Sequence, residues 1–225
     1  MHRLIEGLHR FRESVFPDRK AFFESLAQGQ NPDFLFITCC DSRVQPDVVL
    51  QSNPGDLFIL RNIGNLVPPH GADNSVEAAV EYSIRILGVK HIIICGHSYC
   101  GAMEAFLNPQ NLSMLPSVVK WLQYADSTRQ IMAENYGHLE GKERLDKAIE
   151  INVLVQLEHL TTLPSVAPRL MRGELDLHGW VYRFESGDLS AYDPDANCFV
   201  DVEKAHLPSI RPVHSTPSTR QEGGR

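Results

Sequence analysis

Three thiols, an imidazole, a carboxylate and a guanidinium fall in two short stretches of the chain, Cys39-Cys40-Asp41-Ser42-Arg43 and His97-Ser98-Tyr99-Cys100. Each stretch follows an apolar run with strand character, residues 34–39 and 91–95. In that layout a buried strand delivers chemistry to a loop at its carboxyl end. Thiolates and imidazoles are zinc ligands, and a catalytic zinc takes three protein ligands and keeps a fourth position for water or substrate. Cys39, His97 and Cys100 can supply those three. The alternative for His97-x-x-Cys100 is a histidine at a helix start beside an ordinary buried cysteine. Asp41 has three uses open to it: to ligate the metal, to accept a hydrogen bond from metal-bound water while Arg43 holds it in a bidentate pair, or to form a surface ion pair of little energetic weight. Cys40 should point away from Cys39, because adjacent side chains on extended backbone diverge. Cys95 falls inside an apolar strand and reads as core, while Cys198 has no assignment, and none of the remaining histidines stands out as a proton shuttle.

These strand ends need a sheet and helices to position them. The expected fold is α/β, a mostly parallel central β-sheet flanked by helices, with N-terminal helical arms and a C-terminal hairpin. Residues 2–15 carry Leu4, Ile5, Leu8, Phe11 and Val15 at helical spacing, and a second helix runs through Phe22, Phe23 and Leu26 to Gly29. Such amphipathic arms must cover something, either their own core or a second subunit. A strand at 57–61, a helix at about 74–87 with Val76, Ala79, Val80, Ser83, Ile84 and Leu87 inward, and the Ile-rich strand at 91–95 give a strand–helix–strand crossover. A helix at 101–107 starts at the second motif. Two long helices follow at 116–136 and 142–163, then a short one near 166–172. Residues 175–184 alternate like a strand, turn at Ser186-Gly187 and return over 189–192. We expect one domain over 1–205, the arms being 1–30, and a flexible tail at 206–225, where Pro, Ser, Thr, Gly and Arg predominate.

Composition narrows the function. A formal charge of -7 with no basic run argues against nucleic-acid binding. The longest apolar run is too short to cross a bilayer, and charges occupy the N-terminus where a signal peptide needs an apolar core, so a cytoplasmic protein is expected. Five cysteines in a chain large enough to bury a core point to metal before disulfides.

Cys39-x-Asp41-Ser42-Arg43 followed by His97-x-x-Cys100-Gly101 resembles the paired signature of the β-class carbonic anhydrases, and the resemblance runs from the N-terminal helices through His178-Gly-Trp180-Val-Tyr182. It implies one zinc ion per subunit on Cys39, His97 and Cys100, and reversible hydration of carbon dioxide to bicarbonate and a proton through zinc-bound hydroxide. Asp41 would orient that hydroxide and Arg43 would anchor Asp41. Further positions match the plant-like branch: Gln30 as a donor to substrate oxygen, Phe58, Ile63 and Tyr82 as an apolar wall, and Gly101 as a backbone donor. In the family this wall reaches the zinc from the neighbouring subunit, which implies a homodimer or a multiple of dimers. One branch also binds bicarbonate in a second pocket lined by Trp, Arg and Tyr. Arg61 and Tyr182 stand at the matching places here, but Phe36 replaces the Trp, which predicts that Asp41 stands off the zinc. The N-terminal half is similar to cyanobacterial carboxysome-associated members, so a carboxysomal location is a second expectation. The same fold also supports hydrolysis of carbon disulfide or carbonyl sulfide, and a zinc-bearing scaffold of a carboxysome or transporter complex is a further alternative.

Overall fold

The structure, a computed structural model, describes residues 1–72, 74–112 and 114–205. The tail expected from His206 onward lies outside the described residues. The chain divides into two compact units, Met1–Asn31 and the remainder from Pro32.

The first unit is helical. Helix α1 spans His2–Arg10 and α2 spans Lys20–Leu26. The single helix expected over 2–15 widens into a π turn at Phe11–Val15, where the Phe16 N–H reaches the Phe11 carbonyl at 2.8 Å. A ring cluster accompanies that widening: Phe16 stacks on Phe23 at 5.4 Å and Phe11 meets Phe23 edge-on at 5.5 Å.

In the second unit a six-stranded sheet has the order β2-β1-β3-β4-β5-β6. The strands are β1 (Phe34–Cys39), β2 (Leu57–Asn62), β3 (His91–His97), β4 (Asp176–Tyr182), β5 (Leu189–Asp193) and β6 (Cys198–Asp201). The first four run parallel, and β5 and β6 add on antiparallel. The expected hairpin is therefore a three-stranded meander. Its last strand escaped the sequence reading because only Cys198-Phe-Val200 is apolar, and Asn197, at φ 53°, makes the tight turn before it. Leu35, Ile37, Ile92 and Ile94 at the centre of the sheet are fully buried, as a parallel sheet covered by helices requires.

Strand β3 continues past the apolar run, with Gly96 and His97 still paired to Val181 and Tyr182 of β4. Helix α8 (Gly141–Thr161) lies directly on this part of the sheet. A Cβ at Gly96 would stand 2.9 Å from the Ile149 Cγ2, and one at Gly179 would stand 2.9 Å from Leu157 and Val153 methyls. The two glycines thus let α8 approach close enough to fix the end of β3.

The other elements are α3 (Pro46–Val49), α4 (Ser75–Arg85), α5 (Gly101–Leu107), α6 (Pro116–Leu122), α7 (Asp126–Asn135) and α9 (Ala167–Met171). Asn74 caps α4 by accepting from the Glu77 N–H at 2.9 Å. Of the residues expected inward on α4, Val76, Val80, Ser83, Ile84 and Leu87 are buried and Ala79 is half-buried. The continuous helix expected at 116–136 is broken between α6 and α7 by a 3₁₀ turn at Gln123–Ala125, which buries Leu122 and Ala125 together.

Candidate metal centre

Register places the two motifs side by side. Strand β1 is central, with β2 on one flank and β3 on the other, so Cys39 ends its strand beside Asn62 and next to the His97 end of β3. Cys100 precedes α5 in the turn after β3, where Tyr99 adopts φ 53°, a left-handed conformation uncommon for a side chain of that size. One ligand atom from each of Cys39, His97 and Cys100 lies within 4.8 Å of the others, and all three residues are buried.

The imidazole is oriented by its neighbour. His97 Nδ1 lies 2.9 Å from the Ser98 carbonyl, which can only accept, so Nδ1 carries the proton and Nε2 presents its lone pair. That Nε2 is buried with no hydrogen-bond partner. A buried, unpartnered nitrogen beside two thiols is costly unless a cation completes it, and sulfur, sulfur and nitrogen are donors that suit zinc. Between the sulfurs, donation from the Cys100 thiol, against opposing burial and with help from the Gly64 N–H, pulls Cys39 well below the ordinary thiol range. Cys100 is correspondingly pushed up by that shared hydrogen bond and by its burial. Cys39 is thus poised to ligate as thiolate.

Asp41 and Arg43 form the expected pair. Arg43 Nε donates to Asp41 Oδ1 at 2.9 Å and Nη2 donates to Oδ2 at 2.7 Å, and the Arg43 backbone N–H adds a third bond to Oδ1 at 3.0 Å. The guanidinium holds the Asp41 carboxyl far below the usual carboxylate range, against the smaller opposing effect of burial. Asp41 Oδ2 lies 4.0 Å from His97 Nε2. Arg43 is itself fixed by donating to the Tyr99 carbonyl at 3.1 Å.

Several residues at the site gave no chemical signal in the sequence. The Gly64 N–H points at Cys39 Sγ from 3.4 Å, and its φ of 78° is open to glycine at no cost. The Asn62 side chain bridges both the N–H and the carbonyl of Leu66, tightening the loop that carries Gly64. A run of polar residues and glycine at the end of β2, Asn62-Ile-Gly-Asn65, was the available clue. Cys40 is exposed, while Cys95 is buried and pushed up to about 12 by that burial, so it sits in the core as expected.

The expected substrate positions fall at separate places on the chain. Gly101 is exposed at the first turn of α5. Ile63 is exposed at the rim beside Gly64, its carbonyl accepting from Trp121 Nε1 at 2.8 Å. Phe58 lies four residues before Asn62 on β2, roughly 13 Å down the strand from the thiol's level, and pairs with the exposed Tyr82 at 6.1 Å between rings. Gln30 is exposed and belongs to the first unit. At the place of the second bicarbonate pocket, Arg61 instead donates to the carbonyls of Cys39 at 3.1 Å and Asp41 at 2.7 Å, buttressing the end of β1. Phe36 and Tyr182 line a small cavity with Val44, Pro46, Val49 and Leu50, and apolar atoms make up its surface.

Such a donor set at strand ends places the chain among α/β proteins with a metal-type centre. The family described as carbonic anhydrase matches residues 34–189. A carbonic anhydrase of a Synechocystis species is 48% identical over 89% of this chain and 74% of its own length. One from Pseudomonas aeruginosa is 44% identical over 96% of this chain and 98% of its own. The solved β-carbonic anhydrase CcaA superposes with a TM-score of 0.88 at 47% identity, covering 89% of this chain and 91% of that one. The chain belongs to the β-class carbonic anhydrases and is an enzyme of that family.

Proposed function

We propose that the chain interconverts carbon dioxide and bicarbonate with one zinc ion per subunit, held by Cys39, His97 and Cys100. The observation that carries the metal reading is the buried lone pair of His97 Nε2, unpartnered beside two thiols. When bound, zinc makes a water acidic enough to attack carbon dioxide near neutral pH. The chain's own residues do the rest. Cys39 and Cys100, as thiolates, offset the cation's charge more than imidazoles do, so activity rises toward alkaline pH.

Arg43 occupies both oxygens of Asp41, and its grip opposes movement of the carboxylate onto the metal. Oδ2 takes one bond from Arg43 and has acceptor capacity left for the attacking water, which it orients. Phe36, in an apolar cavity, supports the same open arrangement, because no indole donor is present there to hold an anion.

Exposure of Ile63 and Tyr82, at 42% and 45%, supports a wall completed between subunits, with Phe58, Gly101 and Gln30 contributing. On this reading the functional unit is a homodimer or a multiple of dimers formed from the single domain over 1–205. Two β-carbonic anhydrases from Sordaria macrospora, one of them 29% identical with a TM-score of 0.77, are described as tetrameric. On the same reading its place is cytoplasmic or carboxysomal; among the described residues no helix is long and apolar enough to cross a membrane.

Stopped-flow hydration of carbon dioxide, with zinc content measured on the same sample and a chelator-treated control, tests the reading. Turnover should track zinc at one ion per chain. Zinc-replete protein without hydration activity would overturn it, and release of sulfide from carbonyl sulfide or carbon disulfide by that sample would replace it with the hydrolase reading.

A further inference from the structure

Phe184 stands where three parts of the centre meet. The Arg43 guanidinium carbon lies 4.6 Å from its ring centroid, and the His97 ring packs against it at 5.1 Å with a 49° tilt. Tyr182 meets it edge-on at 5.4 Å. The ring therefore touches both the imidazole of the ligand set and the cation that holds Asp41.

Its own position is fixed from the site side. The Phe184 N–H donates to Ser98 Oγ at 2.9 Å, and that hydroxyl donates to Glu185 Oε2 at 2.7 Å. Ser98 is fully buried, and its carbonyl is the one that sets the His97 tautomer. Glu185 pairs with Lys142 at 3.3 Å, Lys142 lies 5.4 Å from the Tyr99 ring, and the Tyr99 carbonyl accepts from Arg43. The contacts close a circuit through Phe184, Ser98, Glu185, Lys142, Tyr99 and Arg43.

Arg43 needs such support. Its side chain is 52% exposed, so water competes for every N–H it donates to Asp41. A ring under one face of a guanidinium restrains its plane without taking any of those donors. We propose that Phe184 is a positioning residue for the hydration reaction, holding Arg43 in the plane that grips Asp41 and bracing the His97 ring. The inference rests on the reading of Asp41 and Arg43 as part of the catalytic site.

The test compares zinc-loaded wild type, Phe184→Leu, Phe184→Tyr and Arg43→Ala in carbon dioxide hydration, with kcat and KM separated and zinc content measured. Leucine fills the space without a ring face, so kcat should fall roughly three- to tenfold, the range carried by one partly exposed cation–ring contact. KM should stay within about twofold and zinc at one per chain, and tyrosine should restore kcat. In parallel, hydrogen exchange of the Arg43 Nε–H with solvent, slowed in wild type by its bond to Asp41, should quicken several-fold in Phe184→Leu and return to the wild-type rate in Phe184→Tyr.

Arg43→Ala with near-normal turnover removes the reading of the pair, and this inference with it. An impaired Arg43→Ala beside a Phe184→Leu of wild-type kcat overturns this inference alone. Phe184→Met serves as the ring-free variant if leucine prevents folding, and Arg43 Nε–H exchange no faster in the ring-free variant than in wild type refutes the proposal.

Discussion

Replacing Gln156 by leucine tests whether helix α8 holds the loop that carries Gly64. Gln156 is fully buried, its Oε1 accepting from the Val67 N–H at 2.8 Å and its Nε2 donating to Asn152 Oδ1 at 3.0 Å. Asn152 in turn donates to the Gly64 carbonyl at 3.1 Å, and the Gly64 N–H points at Cys39 Sγ. The chain of bonds thus runs from the helix through the loop to a candidate metal ligand. Leucine strands two buried groups, the Val67 N–H and the Asn152 Oδ1, at about 1–3 kcal/mol each, besides removing the 3.4 Å bond to the part-buried Tyr124 carbonyl. Its larger apolar surface recovers about 1 kcal/mol. The net loss is roughly 1–5 kcal/mol, a large share of the stability of an ordinary domain.

Urea unfolding at one fixed protein concentration reads that loss, and transfer of zinc to a chromophoric chelator reads the consequence at the site. Zinc release should quicken roughly tenfold or more, the scale expected when a group behind a ligand is lost. A glutamate at 156 separates hydrogen bonding from volume. Its carboxyl can accept from Val67 and, while protonated, donate to Asn152, and burial raises its folded pKa above the unfolded value of about 4.3. A carboxyl so raised is fully stabilising below the unfolded pKa and loses that contribution as pH rises through the folded one. Gln156→Glu should therefore approach wild type below about pH 4.3 and weaken as pH rises toward neutrality. A Gln156→Leu variant within about 0.5 kcal/mol of wild type, with unchanged zinc release, would refute the reasoning, because such a result lies in the range of ordinary surface changes.

Gly96→Ala should cost roughly 1–3 kcal/mol, since its new methyl meets Ile149 at 2.9 Å and Val153 at 3.0 Å beneath α8; unchanged thermal unfolding would contradict that packing. His178 is held below its ordinary value first by burial and then by His91, whose Nδ1 is 3.3 Å away, with Asp176 acting the other way. The folded state therefore disfavours its protonation, and stability is complete above the unfolded value of about 6.5 and declines as pH falls through the folded one. His178→Phe should flatten that acid-side decline, and parallel stability curves for the two proteins would reject the assignment. Cys39→Ser should drop zinc content well below one per chain by elemental analysis and abolish hydration, while Cys40→Ser, exposed and off the donor set, should leave both unchanged.

Legibility in the sequence followed the kind of force that makes each feature. Cys39, Asp41, His97 and Cys100 could be read because each sits where an apolar run stops abruptly, and an apolar run in a parallel sheet is written locally. The helices facing the sheet were readable for the same reason, down to Val76, Val80 and Ile84 on α4. Strand β6 was not readable, because four residues paired to an edge owe their existence to β5 and carry little pattern of their own. Phe58, Ile63 and Tyr82 came from resemblance alone, since a half-buried strand residue and two exposed apolar side chains are ordinary features of a single chain.

The residues that orient the centre were hidden for a further reason. Gly64, Ser98, Gln156 and Phe184 act through backbone N–H groups, a carbonyl, an amide and a ring face, none of which marks a residue type as chemical. Their partners lie far along the chain: Phe184 N–H to Ser98 spans 86 positions and Val67 N–H to Gln156 spans 89. Donor atoms can be recognised by type, but the lone pair of His97 points inward only because the Ser98 carbonyl binds the other nitrogen, and Ser98 is held by the turn that follows β4. The motif therefore specifies what could bind a metal, whereas the contacts made by α8 and the β4–β5 turn determine that these three donors converge.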